Sequence, residues 1–174
     1  NIFLEGTGAM VLDHVARIAY TARSNRADAI ALERFCTHFN FEPMAFATAD
    51  ENGRPIYHTN VIMCIAAEFA MVGFDIIENS ERRREIHGRL AEMGRNIIEL
   101  SNYQIGEFAG NALELSTANG RILAISARAA AALTDDQKKL IEQSAKIVEL
   151  SVPTIELAGG SIRCMLAGIH LARR

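Results

Sequence analysis

Four stretches of this chain repeat one pattern at a fixed interval: "FLEGTGAMVLDHV", "IYHTNVIMCI", "FAGNALEL" and "GGSIRCMLAGI". In each, a short turn rich in glycine or polar residues runs into an apolar segment of strand length. Their key polar residues are Glu5, His58, Asn111 and Cys164, and each step between them is 53 residues. A period of this size marks a repeated supersecondary unit, and a unit so short cannot bury both of its faces without neighbours. The units are therefore expected to be α/β, ββαβ-like, and to close into a ring. Equivalent loops would then meet at the central axis, bringing Glu5, His58 and Cys164 together from distant parts of the chain.

The segments between these loops carry matching elements. Ser24 is expected to cap a helix over 25–39, with Ile30, Ala31, Phe35 and Phe39 on its inner face. Ser80 is expected to cap a second helix through Met93, packed by Ile86, Leu90 and Met93. Thr134 and Gln137 have capping-box spacing ahead of a stripe formed by Leu140, Ile141, Ala145 and Val148. Each helix precedes a short strand, read as "FEPMAFAT", "GRNIIELS" and "SVPTIEL". The turns "DENGRPI" and "TANGRIL" lead into further strands.

Composition narrows the function classes. With 49% hydrophobic residues in 174 and a formal charge of −3, the chain has ample core and no basic footprint for nucleic acid. No apolar run reaches the roughly 18–20 residues of a membrane helix. Cys36, Cys64 and Cys164 form neither a metal knuckle nor a disulfide framework, which points to a reducing, cytoplasmic compartment. Cys36 falls on a helix's apolar face and Cys64 inside a strand, so both read as packing residues. Arg82 to Arg84, set between Glu81 and Glu85, read as a solvated helix face.

Cysteine, histidine and a carboxylate make a nucleophilic set. A thiolate attacks, imidazole shuttles protons, and the acid orients a partner or a substrate nitrogen. Such sites are defined by geometry, and chain order carries no weight. Arg163, next to Cys164, is expected on the opposite face of its strand.

The trio "LEGTG", "YHTN" and "GGSIRCM" resembles the guanidine-modifying (pentein, or amidinotransferase) superfamily over essentially the whole chain, most of all its citrulline-utilisation hydrolase branch. The resemblance implies a five-bladed α/β propeller of which residues 1–174 supply four units in a single catalytic domain, with the first blade upstream of Asn1. It implies Cys164 as nucleophile, His58 as general acid/base and Glu5 as the carboxylate holding a substrate nitrogen. Arg23, in "TARSNR", matches a segment whose arginine holds a substrate α-carboxylate, a pairing suited to a guanidinium.

Two departures bear on the substrate. Where deiminases in this superfamily show Glu-Gly-Gly-Asp and His-x-Asp, this chain has Glu5-Gly6-Thr7-Gly8 and His58-Thr59-Asn60. A cationic guanidinium in a dry pocket favours carboxylates, whereas a neutral ureido group needs a carbonyl and an amide, both of which Asn60 carries. The expected activity is hydrolysis at the ureido or guanidino carbon of citrulline or an arginine-related substrate, releasing ammonia through a covalent cysteine intermediate. No cofactor or metal is expected. The expected partner is a small amino-acid substrate, with no nucleic acid and no membrane, and a homo-oligomer is left open. Arginine or methylarginine deimination, amidino transfer and a catalytically silent binding propeller are the alternatives.

Overall fold

The computed structural model describes residues 2–168. Three units of one topology follow each other. In the first, β1 (Met10–Asp13) pairs antiparallel with β2 (Ile18–Ala22), and β2 pairs parallel with β3 (Glu42–Phe46) across helix α2 (Ala29–Phe39). The second repeats this with β4 (Met63–Ile65), β5 (Phe69–Val72), α3 (Ser80–Glu92) and β6 (Asn96–Glu99). The third uses β7 (Leu113–Thr117), β8 (Gly120–Ser126) and β9 (Lys146–Leu150), with α5 (Ala127–Ala132) and α6 (Asp135–Glu142) in the crossover. Short helices α1 (Gly6–Ala9), α4 (Asn102–Gly106) and α7 (Pro153–Leu157) sit at the junctions.

Among the described residues the sheets are three separate three-stranded ones, so the structure is a mixed α/β fold with small sheets. Neighbouring units meet through their first strands: β1 packs beside β4, and β4 beside β7. The middle strands are the most apolar. Ile18, Tyr20, Phe69, Met71, Leu123 and Ile125 are fully buried and fall in one core with Ile86, Leu90 and Ile141 from the helices.

Polar contacts also join the units. Asp13, at the end of β1, makes a bidentate pair with Arg95, just before β6, at 2.6 and 3.1 Å. Both side chains are almost wholly buried, and Arg95 Nε also donates to the Ala66 carbonyl. Between units two and three, two capping boxes interlock. Ser101 and Gln104 close one, Thr134 and Gln137 the other, and Gln104 Nε2 donates to Gln137 Oε1 at 2.7 Å. The Thr134 box stands where the sequence places it.

Other elements shift from expectation for definable reasons. Asp28, four residues beyond Ser24, caps α2 by accepting from the Ile30 and Ala31 amides. The helix buries Leu32 and Cys36 and leaves Ile30 and Phe39 half exposed. Asn79 takes the cap of α3 that Ser80 was expected to take, and Met93 lies outside the packed face. "SVPTIEL" forms helix α7 and not a strand: Pro153 sits in its first turn, and the strand paired with β8 is the preceding Lys146–Leu150. The Asp50 turn forms, but 54–58 after it is irregular. Cys164 was expected at the head of a fourth strand; Ile162–Met165 is a 3₁₀ turn, and the segment beyond residue 168 lies outside the described residues.

Candidate active site

Glu5 precedes α1, a turn that Gly6 allows through its positive φ of 41°. The Glu5 amide donates to the Arg26 carbonyl, tying this turn to the loop after β2. The carboxylate is bound twice, by Arg26 Nη1 at 2.6 Å and by His58 Nε2 at 2.8 Å. These contacts, that with Arg26 the larger, hold the Glu5 carboxyl below its ordinary range. The His58 ring packs edge-on to Tyr57 and lies over Gly8, where an added Cβ would stand 3.0 Å from the imidazole.

His58 enters a 3₁₀ turn, Thr59–Val61, fixed from the side of the first unit. The buried Thr59 hydroxyl donates to the Ala9 carbonyl and accepts from the Ala22 amide. Asn60 is then 1% exposed, with Nδ2 3.6 Å from Cys164 Sγ and Oδ1 buried without a partner.

Cys164 rides the 3₁₀ turn after the Gly159–Gly160 pair. Gly159 has a φ of 86°, and a Cβ on Gly160 would stand 3.3 Å from that of Cys164. Ser161 starts the turn: its carbonyl accepts from the Cys164 amide, and its hydroxyl donates to buried Glu156 at 3.1 Å. Asn111 meets the same turn. Its Oδ1 accepts from the Arg163 amide, and its Nδ2 lies 3.3 Å from Cys164 Sγ.

The three cysteines differ in access. Cys164 is exposed, whereas Cys36 and Cys64 are buried. Burial raises both buried thiols, Cys64 to about 11. Arg163 turns away from the site loops, donating at long range to the Met63 and Ala112 carbonyls, and desolvation lowers its pKa. It lines a cavity of about 740 Å³ with Gly6, Thr7, Met10, Ile65 and Leu113, beside the first strands of the three units.

The structure thus brings Glu5 to His58 and Asn60 to Cys164, with Asn111 joining the second pair. Arg23 is exposed, and its contact is through its backbone amide to the Phe46 carbonyl. Arg26, three residues on, is the arginine that reaches Glu5, and sequence reasoning passed over it. The signal was present: Ser24-Asn25-Arg26 has the Ser-x-Arg spacing, and Ser24 Oγ donates to the Tyr57 carbonyl. Among the described residues, no cluster of three His, Cys, Asp or Glu is arranged to hold a metal ion, and no helix is long and apolar enough to cross a membrane.

Comparison with known proteins gives this arrangement a family. The family described as N,N dimethylarginine dimethylhydrolase, eukaryotic, matches residues 1–171. No curated protein sequence matches the chain. Among solved structures, ArgZ, an arginine dihydrolase from the ornithine-ammonia cycle in cyanobacteria, is similar with a TM-score of 0.73 and 18% identity, over 93% of this chain and 24% of that one. A variant of the ArgZ N-terminal domain, covalently bonded to a reaction intermediate, is similar with a TM-score of 0.70 and 20% identity over 93% of this chain and 55% of that domain. A dimethylarginine dimethylaminohydrolase variant in adduct with S-methyl-L-thiocitrulline has a TM-score of 0.61 and 12% identity over 93% of this chain and 57% of that one. At these identities the likeness is one of fold, and the chain spans about a quarter of full-length ArgZ.

Proposed function

The chain belongs to the N,N dimethylarginine dimethylhydrolase (eukaryotic) family of guanidine-modifying enzymes, and on that basis we propose that it is a cysteine-dependent hydrolase of C–N bonds at the guanidino or ureido carbon of an arginine-related amino acid. The observation that carries this is the meeting of an exposed thiol, Cys164, with Asn111 and with Asn60, which stands on the same turn as the Glu5-bonded His58.

In the proposed reaction the Cys164 thiolate attacks the planar carbon. His58 gives a proton to the departing amine or ammonia, which leaves the carbon bonded to sulfur. A water that loses its proton to His58 then adds to that carbon, and the C–S bond breaks to restore the thiolate. With Nε2 bonded to Glu5, Nδ1 is the ring nitrogen left to exchange protons. Asn60 Oδ1 supplies an acceptor for a substrate N–H, since its Nδ2 faces the sulfur. Arg23 and Arg26, on one loop, are the groups to hold the α-carboxylate; Arg26 is the one in contact with Glu5. The ArgZ variant covalently bonded to a reaction intermediate and the dimethylarginine dimethylaminohydrolase variant in adduct with S-methyl-L-thiocitrulline support a covalent route.

A neutral ureide such as citrulline suits the charge balance, because Glu5 is already paired with Arg26 and His58. A cationic guanidine is the second reading, favoured by the family itself. Incubating the full-length protein with citrulline, arginine and dimethylarginine, and measuring ammonia, dimethylamine, ornithine and citrulline, tests both. Absence of every product would refute the hydrolase assignment.

We further read residues 1–174 as one cytoplasmic catalytic α/β-propeller domain supplying four of five ring units. The side-by-side packing of β1, β4 and β7 supports a ring.

A further inference from the structure

Asn111 holds the third position of the 53-residue register, yet the chemistry above gives it no part. Its surroundings are specific. The residue is 1% exposed. Its Oδ1 accepts from the Arg163 amide at 3.1 Å, while Nδ2 donates to the Asn60 carbonyl at 2.9 Å and to Cys164 Sγ at 3.3 Å. A primary amide has two N–H bonds. Both are used here, and one ends on the sulfur. The preceding glycine fixes the approach: a Cβ on Gly110 would stand 2.4 Å from the Val61 carbonyl oxygen, so this loop is pressed onto the 58–62 turn.

We propose that Asn111 is a catalytic residue that, with Asn60, forms a two-donor amide cradle for the sulfur of Cys164. The cradle stabilises the thiolate before attack and again when hydrolysis releases it. It rests on Cys164 being the nucleophile. The thiolate is the reactive form of cysteine, and hydrogen bonds to an ionised acceptor are the strong ones. A neutral donor has a further advantage over a lysine or arginine in this position: it supports the anion without adding positive charge that would repel a guanidinium.

The charged groups nearby are otherwise engaged. Arg163, on the same turn, directs its guanidinium to the Met63 and Ala112 carbonyls. Glu5 is paired with Arg26 and His58, and Glu156 accepts from Ser161. Within the described residues, Asn60 and Asn111 are the side chains that donate to Sγ.

The test uses Asn111→Asp in the full-length protein. Aspartate keeps the size and the acceptor for the Arg163 amide, but sets a carboxylate oxygen where the donor was. Cys164 labelling by iodoacetamide at neutral pH is followed by mass spectrometry of its peptide, beside turnover and the unfolding midpoint. The cradle requires labelling slower by about tenfold or more, and kcat lower by about a hundredfold with KM little changed. Labelling within about twofold of wild type in the folded variant would overturn it. Labelling needs no substrate, so it reports on the cradle even if no guanidino compound is turned over; lost turnover with unchanged labelling would reject the cradle and leave the nucleophile standing. Should Asn111→Asp not fold, the wild type itself decides. Faster labelling of Cys164 when folded than in denaturant at the same pH supports the cradle, and equal or slower labelling overturns it.

Discussion

Glu5 Oε2 lies 2.8 Å from His58 Nε2, and the two residues stand one repeat apart in the sequence. Asn111 and Cys164 are likewise one repeat apart, with Nδ2 and Sγ at 3.3 Å. The Asn111 side chain reaches the Asn60 carbonyl and so joins the two pairs. The 53-residue period is therefore a contact register: the loop of one unit meets the equivalent loop of the next. Packing of β1 on β4 and β4 on β7 makes this possible by keeping equivalent loops at one end of the molecule.

Cys164→Ser should lower kcat by about 10³ or more with the unfolding midpoint nearly unchanged, since the side chain is exposed and the change in size small. Cys64→Ala should cost about 1 kcal/mol of stability and leave kcat near wild type, because that thiol is fully buried. Steady-state kinetics beside chemical denaturation separate the two. Equal loss of activity in both variants at equal folded fraction would contradict the assignment.

Glu5→Gln should reduce kcat by about ten- to a hundredfold. The sign of its pH dependence follows from the contacts. The folded-state pKa of Glu5 is depressed, chiefly by Arg26 and then by His58, so its pairing contributes above the ordinary value of 4.5 and is lost as the pH falls through the lower folded value. The difference in thermal midpoint between wild type and Glu5→Gln should be flat from neutral pH towards 4.5 and shrink below it. A difference that grows in acid would mean that the pair is absent.

Two glycines separate stability from chemistry. Gly110→Ala drives a methyl into the Val61 and Ile62 backbone, which cannot move cheaply, and should destabilise the fold by about 1–3 kcal/mol. For Gly8→Ala the nearest atoms are those of the His58 side chain, at 3.0 Å. Displacing that ring should lower kcat by about tenfold with little change in the denaturation midpoint. Reversed effects in the two variants would argue that His58 is not held as described.

The Asp13–Arg95 pair is buried between the first and second units. Arg95→Met leaves a buried carboxylate without its guanidinium and should cost about 3–5 kcal/mol. Asp13→Asn combined with Arg95→Met should recover part of that loss, which urea denaturation of the three variants would reveal. Strict additivity of the single losses would show that the two side chains do not interact.

Much of this was legible in the sequence because the repeat is long and chemically marked. The period read as four ββαβ-like units, of which the described residues form three sheets, and it marked the positions of Glu5, His58, Asn111 and Cys164. The Thr134–Gln137 box was legible because its two side chains act within one turn. Competing caps were harder to tell apart: Ser24 and Asp28, or Ser80 and Asn79, are each adequate locally, and tertiary packing chooses the helix phase. Asp28 wins, and with it Leu32 and Cys36 replace Ile30 and Phe39 inside. Two arginines three residues apart posed the same difficulty. Arg26 reaches Glu5 because the turn at 24–27, closed by the Ala27 amide on the Ser24 carbonyl and anchored by the Ser24 hydroxyl on the Tyr57 carbonyl, carries it there, and no local pattern encodes that reach. Asn111 was visible as a position in the register, but its donation to sulfur depends on Gly110 admitting the 58–62 turn.

Rapid acid quenching of the full-length protein during turnover of citrulline, arginine or dimethylarginine, followed by peptide mass spectrometry, would trap the covalent species if one forms. The expected result is a substrate-derived mass on the Cys164 peptide that rises before product and is absent in Cys164→Ser. Turnover that persists in Cys164→Ser, or an adduct on any other residue, would contradict nucleophilic catalysis by Cys164.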